Sequence, residues 1–188
     1  HAFAVKRLWP LFRRPELSST TLLLPGATAD KHATATIVLH WSIVMAIVVS
    51  VAAIYLRDLT EDKPIRQVLL EVHRQLGLLV LVGVPLRIAV RCWLGFSDQS
   101  SGMAALLRWV AAITHVVLYA SLIALPLVGW AATSAKGITL WLFGLVPLPS
   151  LVAADPDVAD TLVDYHQWGA WALLALVAAH ALASLWHH

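Results

Sequence analysis

Charge and cysteine are what this sequence has least of. Asp, Glu, Lys and Arg make up 13% of its 188 residues and apolar side chains 60%. Soluble globular domains carry about 25% charged residues. With a mean hydropathy of +0.77, the chain is neither an ordinary soluble domain nor a disordered segment, which would be polar and highly charged. A net charge of +2 gives no footprint for a polyanion, so nucleic acid is not expected among its partners. One cysteine, Cys92, excludes a disulfide framework, a thiolate zinc site and an iron–sulfur cluster, each of which needs several.

Long uncharged runs are what is present. A helix crosses a bilayer with roughly 20 apolar residues. Thr36–Leu56, Trp109–Thr133 and Tyr165–Trp186 contain no Asp, Glu, Lys or Arg. Val68–Leu94 holds Glu71, His73, Arg74, Arg87 and Arg91, but these cluster near its ends around an uncharged centre, Gln75–Leu86. Long arginines reach the interface from such positions. The expected fold is all-α, a four-transmembrane-helix bundle, with spans at about 36–56, 68–94, 109–133 and 164–188. A basic extension, residues 1–33, precedes a single membrane domain, residues 34–188.

The first 33 residues lack the apolar core of a signal peptide. Phe3, Trp9 and Phe12 among Lys6, Arg7, Arg13 and Arg14 suit either a membrane-surface segment or a basic tail. The loop Ser134–Thr161 contains an apolar stretch, Ile138–Leu148, too short to span and broken by Gly144 and Pro147. It is expected as an interfacial or re-entrant lid.

Orientation follows from loop Lys and Arg. Lys6, Arg7, Arg13, Arg14, Lys31, Arg87, Arg91 and Arg108 fall on one side; Arg57, Lys63, Arg66, Arg74 and Lys136 fall on the other. Asp58, Glu61, Asp62, Glu71, Asp155, Asp157, Asp160 and Asp164 share the second side. Both termini are therefore expected in the cytoplasm. Trp41, Trp93, Trp109 and Trp186 fall near that interface, as belt residues do.

Nine histidines are unusual in so apolar a chain. Five fall inside spans: His40, His73, His115, His166 and His180. Intramembrane ionisable groups are rare and face a bundle interior. Fourteen residues separate His166 from His180, about 21 Å along a helix and close to four whole turns. They share a face at opposite depths. His73 matches His166 in depth, and His40 matches His180. Two depth-matched imidazole pairs on facing helices are what two six-coordinate haem b groups require. The bland alternative is a set of hydrogen-bonded core histidines. His115 lies near the depth of His40 and His180: it replaces one of them as ligand, or contacts a propionate or a quinone headgroup. Arg87 or Arg91 suits the inner propionates and Arg74 or Lys136 the outer ones; topology alone is the other explanation of these cations. No Cys-x-x-Cys-His motif occurs, so haem would be held non-covalently. No catalytic residue is assigned. A metal carrier, the transport alternative, is disfavoured by nearly all-aliphatic span centres.

These motifs resemble the bacterial cytochrome b561 family over about Thr36–His188. The residues carrying the resemblance are His40-Trp41, His73-Arg-Gln-Leu-Gly77 with Arg87 and Arg91, and His115-x-x-Leu-Tyr119. Pro126-x-x-Gly129-Trp130, Trp141-x-Phe143-Gly144-Leu145, His166, His180 and His187-His188 complete them. The resemblance implies haem ligands at His40, His73, His166 and His180, a place in the bacterial inner membrane, and electron exchange with quinone, ubiquinone being the expected acceptor. Some members look like superoxide oxidases; others anchor partner dehydrogenases, hydrogenase-type oxidoreductases or periplasmic redox proteins. If the chain is an enzyme, it is an oxidoreductase. The acidic outer loops would repel superoxide unless Lys136, Arg66 or Arg74 forms a local funnel.

Overall fold

The computed structural model describes residues 27–94 and 105–186. Readings that fall on residues 1–26 and on His187-His188 lie outside the described residues. Four long helices account for nearly all of the rest: α1 (Ala27–Leu59), α2 (Lys63–Leu94), α3 (Ala105–Ala135) and α4 (Pro156–Trp186). All four are long and apolar enough to cross a membrane. At 31 to 33 residues each exceeds the ~20 that a bilayer needs, so each projects beyond the hydrocarbon.

Local chemistry sets the helix ends. Asp62 Oδ1 accepts the Ile65 N–H at 3.0 Å and caps α2. Arg66 reaches back to the carbonyls of Arg57 and Thr60, at 3.0 and 3.1 Å, and satisfies the end of α1. Gly137, at φ +70°, ends α3 in a Schellman motif: its N–H donates to Ser134 O and the Ile138 N–H to Thr133 O. Asp155 Oδ1 accepts the N–H groups of Asp157 and Val158, and Pro156 fills the first helical position of α4. The chain read as loop up to Thr161 is therefore helical from Pro156. Polarity misleads there, because α4 carries Asp157, Asp160 and Asp164 on turns that precede its uncharged run.

The stretch Ile138–Leu148 forms a β-hairpin, not a re-entrant segment. β1 (Trp141–Leu142) pairs antiparallel with β2 (Val146–Pro147), Leu142 opposite Val146. Trp141, Phe143, Leu145 and Val146 stay exposed, as suits an interfacial position.

α1 packs along α2, and α3 along α4; the two pairs meet mainly across α2 and α3. Ile43, Val80 and Val84 form the buried centre, flanked by Tyr119, Leu122 and Ile123 of α3. Outward faces carry large apolar residues such as Trp41, Val48, Val82 and Val116, the composition lipid requires. Close packing of α4 is confined to α3, so a slot runs between it and the α1–α2 pair.

Candidate metal centres

Towards the hairpin end of the bundle, that slot widens into a cavity of about 470 Å³, within the range of ligand pockets. His73 of α2 and His166 of α4 both line it. Their ring centroids are 5.9 Å apart with planes at 83°. Two imidazoles bound on opposite sides of one metal ion, each through a bond of about 2 Å, hold their centroids about 6 Å apart.

Each ring is fixed by its Nδ1. His73 Nδ1 lies 3.1 Å from the Ser50 carbonyl and 2.9 Å from Ser50 Oγ. His166 Nδ1 lies 3.0 Å from the Leu125 carbonyl. A carbonyl can only accept, so both rings carry the proton on Nδ1 and keep the Nε2 lone pair free. Metal-ligating histidines are oriented in this way. Ser50 is a partner the sequence does not announce, since a serine in an apolar helix has no signature of its own.

Two glycines shape the space. A Cβ on Gly129 would come within 3.0 Å of His166 Cε1, so glycine is what lets α3 approach that ring. Gly77 lies on the cavity wall one helical turn after His73, and a Cβ there would project into open space. A flat macrocycle fits such a gap. Ile47, Val51, Leu122 and Leu174 add aliphatic wall, and Arg57, Arg74 and Lys136 bring positive charge to the lining. Arg74 is 3.5 Å from Glu71 and Arg57 3.4 Å from Asp58. Arg66, named among the funnel residues, is engaged with the end of α1 instead. Tyr55 of α1 and Trp171 of α4, ring centroids 6.4 Å apart edge to face, bridge the lipid side of the slot.

At the other end of the bundle, His40, Arg87, His115 and His180 come one from each helix. His115 and His180 are in ring contact, centroids 5.3 Å apart. His115 Nδ1 donates to Ala111 O at 2.7 Å, which frees its Nε2. His40 instead accepts a hydrogen bond from Arg87 through Nδ1 and stacks at a tilt on Trp41. The structure thus pairs His180 with His115, and His40 with Arg87. Arg91 lies exposed in the last turn of α2. Ile43, Val80 and Val84 lie between the two histidine levels as an apolar layer.

Among the described residues no three of His, Cys, Asp and Glu gather as a bare-metal site. The donor sets are pairs, which suits a group that brings its own equatorial ligands, as haem does.

A family model for the prokaryotic cytochrome b561 matches residues 31–188. The chain belongs to the prokaryotic cytochrome b561 family. It is therefore a multi-pass bacterial membrane protein, a haem b cytochrome of electron transport. The chain is 28% identical over 158 residues to a "Probable superoxide oxidase CybB" of Yersinia pestis, covering 84% of this chain and 89% of that one. It is 29% identical over 157 residues to "Cytochrome b561 homolog 1" of Escherichia coli K12, covering 81% and 86%. "Cytochrome b561 homolog 2" of the same organism matches at 27% over 118 residues, 63% of each chain.

Proposed function

We propose that this cytochrome holds two haem b groups, one near each face of the bacterial inner membrane, and carries electrons between a donor at the hairpin face and membrane quinone. The hairpin face is the outer one in this reading, with both termini cytoplasmic. The observation that carries it is the His73–His166 pair: two Nδ1-anchored imidazoles across one cavity, spaced as for a shared metal ion.

His73 and His166 would hold the outer haem, with Arg74 and Lys136 available to its propionates. His40 and His180 are the inner ligands, with Arg87 and Arg91 as the propionate cations. Arg87 rests on a neutral imidazole nitrogen of His40. A carboxylate is the stronger acceptor for a guanidinium, so a propionate would draw Arg87 away and release His40. His115 then lies beside the inner ligand His180, placed to contact a propionate or a quinone headgroup.

Bound haem supplies reversible one-electron chemistry at iron, and the protein tunes it through ligands, burial and hydrogen bonds. Ser50 and Leu125 hold the ligand tautomers, while Ile43, Val80 and Val84 keep the middle of the bundle dry. Ubiquinone is the proposed acceptor. Superoxide is the proposed donor, because Arg57, Arg74 and Lys136 put three cations on the cavity lining and a similar chain is named a probable superoxide oxidase. Lipid surrounds the span faces.

The test is an optical spectrum of the purified protein, oxidised and reduced, with a pyridine haemochrome assay. The expected result is a b-type spectrum and two haems per chain. One haem or none overturns the two-site reading.

A further inference from the structure

Gln75 stands two residues beyond His73 on α2, and its carboxamide is occupied at both ends. Nε2–H donates to the Trp141 carbonyl at 2.7 Å and also to the Glu71 carboxylate; Oε1 accepts the Phe143 N–H at 2.9 Å. A carboxamide has two donor hydrogens and an oxygen with two lone pairs, so three of its four possible hydrogen bonds are made. Its two hairpin partners are 66 and 68 residues away in sequence. Gln75 thus offers a donor to Trp141 in β1 and an acceptor to Phe143 in the turn that follows, both from one side chain.

The hairpin needs such support. Its strands are two residues each, and an isolated two-stranded hairpin is marginal in water. Its turn places Phe143 at φ +51° and Gly144 at φ +70°, closed by the Leu145 N–H to the Leu142 carbonyl. That conformation costs a bulky residue free energy, and the group Gln75 accepts is Phe143's own N–H. At the hairpin's root the Leu148 N–H donates to the Leu140 carbonyl. Leu140 is 5% exposed and forms part of the wall of the His73–His166 cavity, whereas Leu145 at the tip is 80% exposed.

We propose that Gln75 is a positioning residue: it clamps the hairpin so that Leu140 closes the hairpin end of the cavity, and thereby limits how readily water-soluble reactants reach the group held by His73 and His166. The consequence for that group rests on the haem reading above; the clamp itself does not.

The experiment uses the full chain, purified in detergent with its haem. Amide exchange is read at Phe143, and reduction of the His73–His166 haem is followed by stopped flow with dithionite as a water-soluble reductant. In Gln75→Ala the Phe143 amide should exchange about tenfold faster, as expected when hydrogen bonds of ordinary strength are lost. The outer haem should be reduced several-fold faster, and the inner haem at an unchanged rate. Gln75→Glu keeps the acceptor for Phe143 but lacks the donor for Trp141; it should fall between wild type and Gln75→Ala, and serves if the alanine variant does not fold. Leu140→Ala should speed outer-haem reduction with Phe143 exchange unchanged. Unaltered Phe143 exchange in both Gln75 variants overturns the clamp. Faster exchange with unaltered haem reduction overturns its control of access. Absence of haem from this cavity would refute the haem reading, while the exchange measurement would still decide the clamp.

Discussion

The imidazoles of His73 and His166 meet edge to face with centroids 5.9 Å apart, each tied by Nδ1 to a backbone carbonyl on a different helix from its own. Ser50 of α1 orients the first and Leu125 of α3 the second, so all four helices take part in placing one pair of nitrogens. A pair so built depends on both members. His73→Ala or His166→Ala should remove the outer haem and leave the inner haem's spectrum in place. Difference spectra of the two variants check this; loss of both haems, or of neither, would contradict the pairing.

The room around that pair is as specific as the ligands. Gly129→Ala would set a Cβ 3.0 Å from His166 Cε1, so the ring must shift by a few tenths of an ångström or tilt. Lower outer-haem occupancy and a displaced midpoint potential are expected, short of complete loss. A Cβ at Gly77 meets no protein atom within 4 Å, so Gly77→Leu would extend from there into the cavity and should exclude the haem while the protein still folds. Haem-to-protein ratio and thermal unfolding, measured together, separate the two effects. A Gly77→Leu protein with full haem content would mean that the macrocycle does not lie against α2 there.

Ser50→Ala tests the anchoring shell. The hydroxyl is lost but the Ser50 carbonyl, 3.1 Å from His73 Nδ1, remains. Groups that hydrogen-bond a metal-ligating histidine are worth about 10–100-fold in affinity. With one of two partners kept, outer-haem retention should weaken by less than about tenfold. Competition against apo-myoglobin reads this directly.

The inner site decides between two partners for His180. The ring contact is with His115, while His40 is engaged by Arg87. If a propionate takes Arg87, His40→Ala should lose the inner haem and His115→Ala should keep both. The reverse pattern would make His115 the ligand. Arg87→Leu adds a second reading: it should shift the inner haem's potential without removing the haem.

The bundle was legible because lipid imposes long uncharged runs, and Thr36–Leu56 shows one without ambiguity. The meeting of His73 with His166 was legible as a match of depth along their helices. Three things were not. The start of α4 hid behind Asp157, Asp160 and Asp164, although Asp155-Pro156 is a recognisable cap. The partner of His40 was hidden too: spacing puts Arg87 on the His73 face fourteen residues on, at the depth of His40, but does not say that the two side chains bond to each other. Ser50 and Gln75 act through contacts with residues far off in the chain, Ser50 with His73 and Gln75 with Trp141 and Phe143, and sequence spacing carries no trace of such contacts.

The donor can be separated by charge. Asp157, Asp160 and Asp164 are exposed on the first turns of α4, and they favour a cationic protein over a small anion. Arg57, Arg74 and Lys136 line the cavity nearby and favour the anion at short range. Steering by exposed charge fades as the Debye length falls from about 10 Å at 0.1 M salt to about 3 Å at 1 M. Neutralising the aspartates removes a repulsion for superoxide and an attraction for a basic protein. With superoxide as donor, Asp157→Asn combined with Asp160→Asn should speed haem reduction, and Lys136→Gln should slow it. With a basic redox protein as donor, both signs reverse. Stopped-flow reduction of the outer haem at low and high salt gives both signs in one series. Reduction no faster than spontaneous dismutation would remove superoxide as the donor and leave the protein partner.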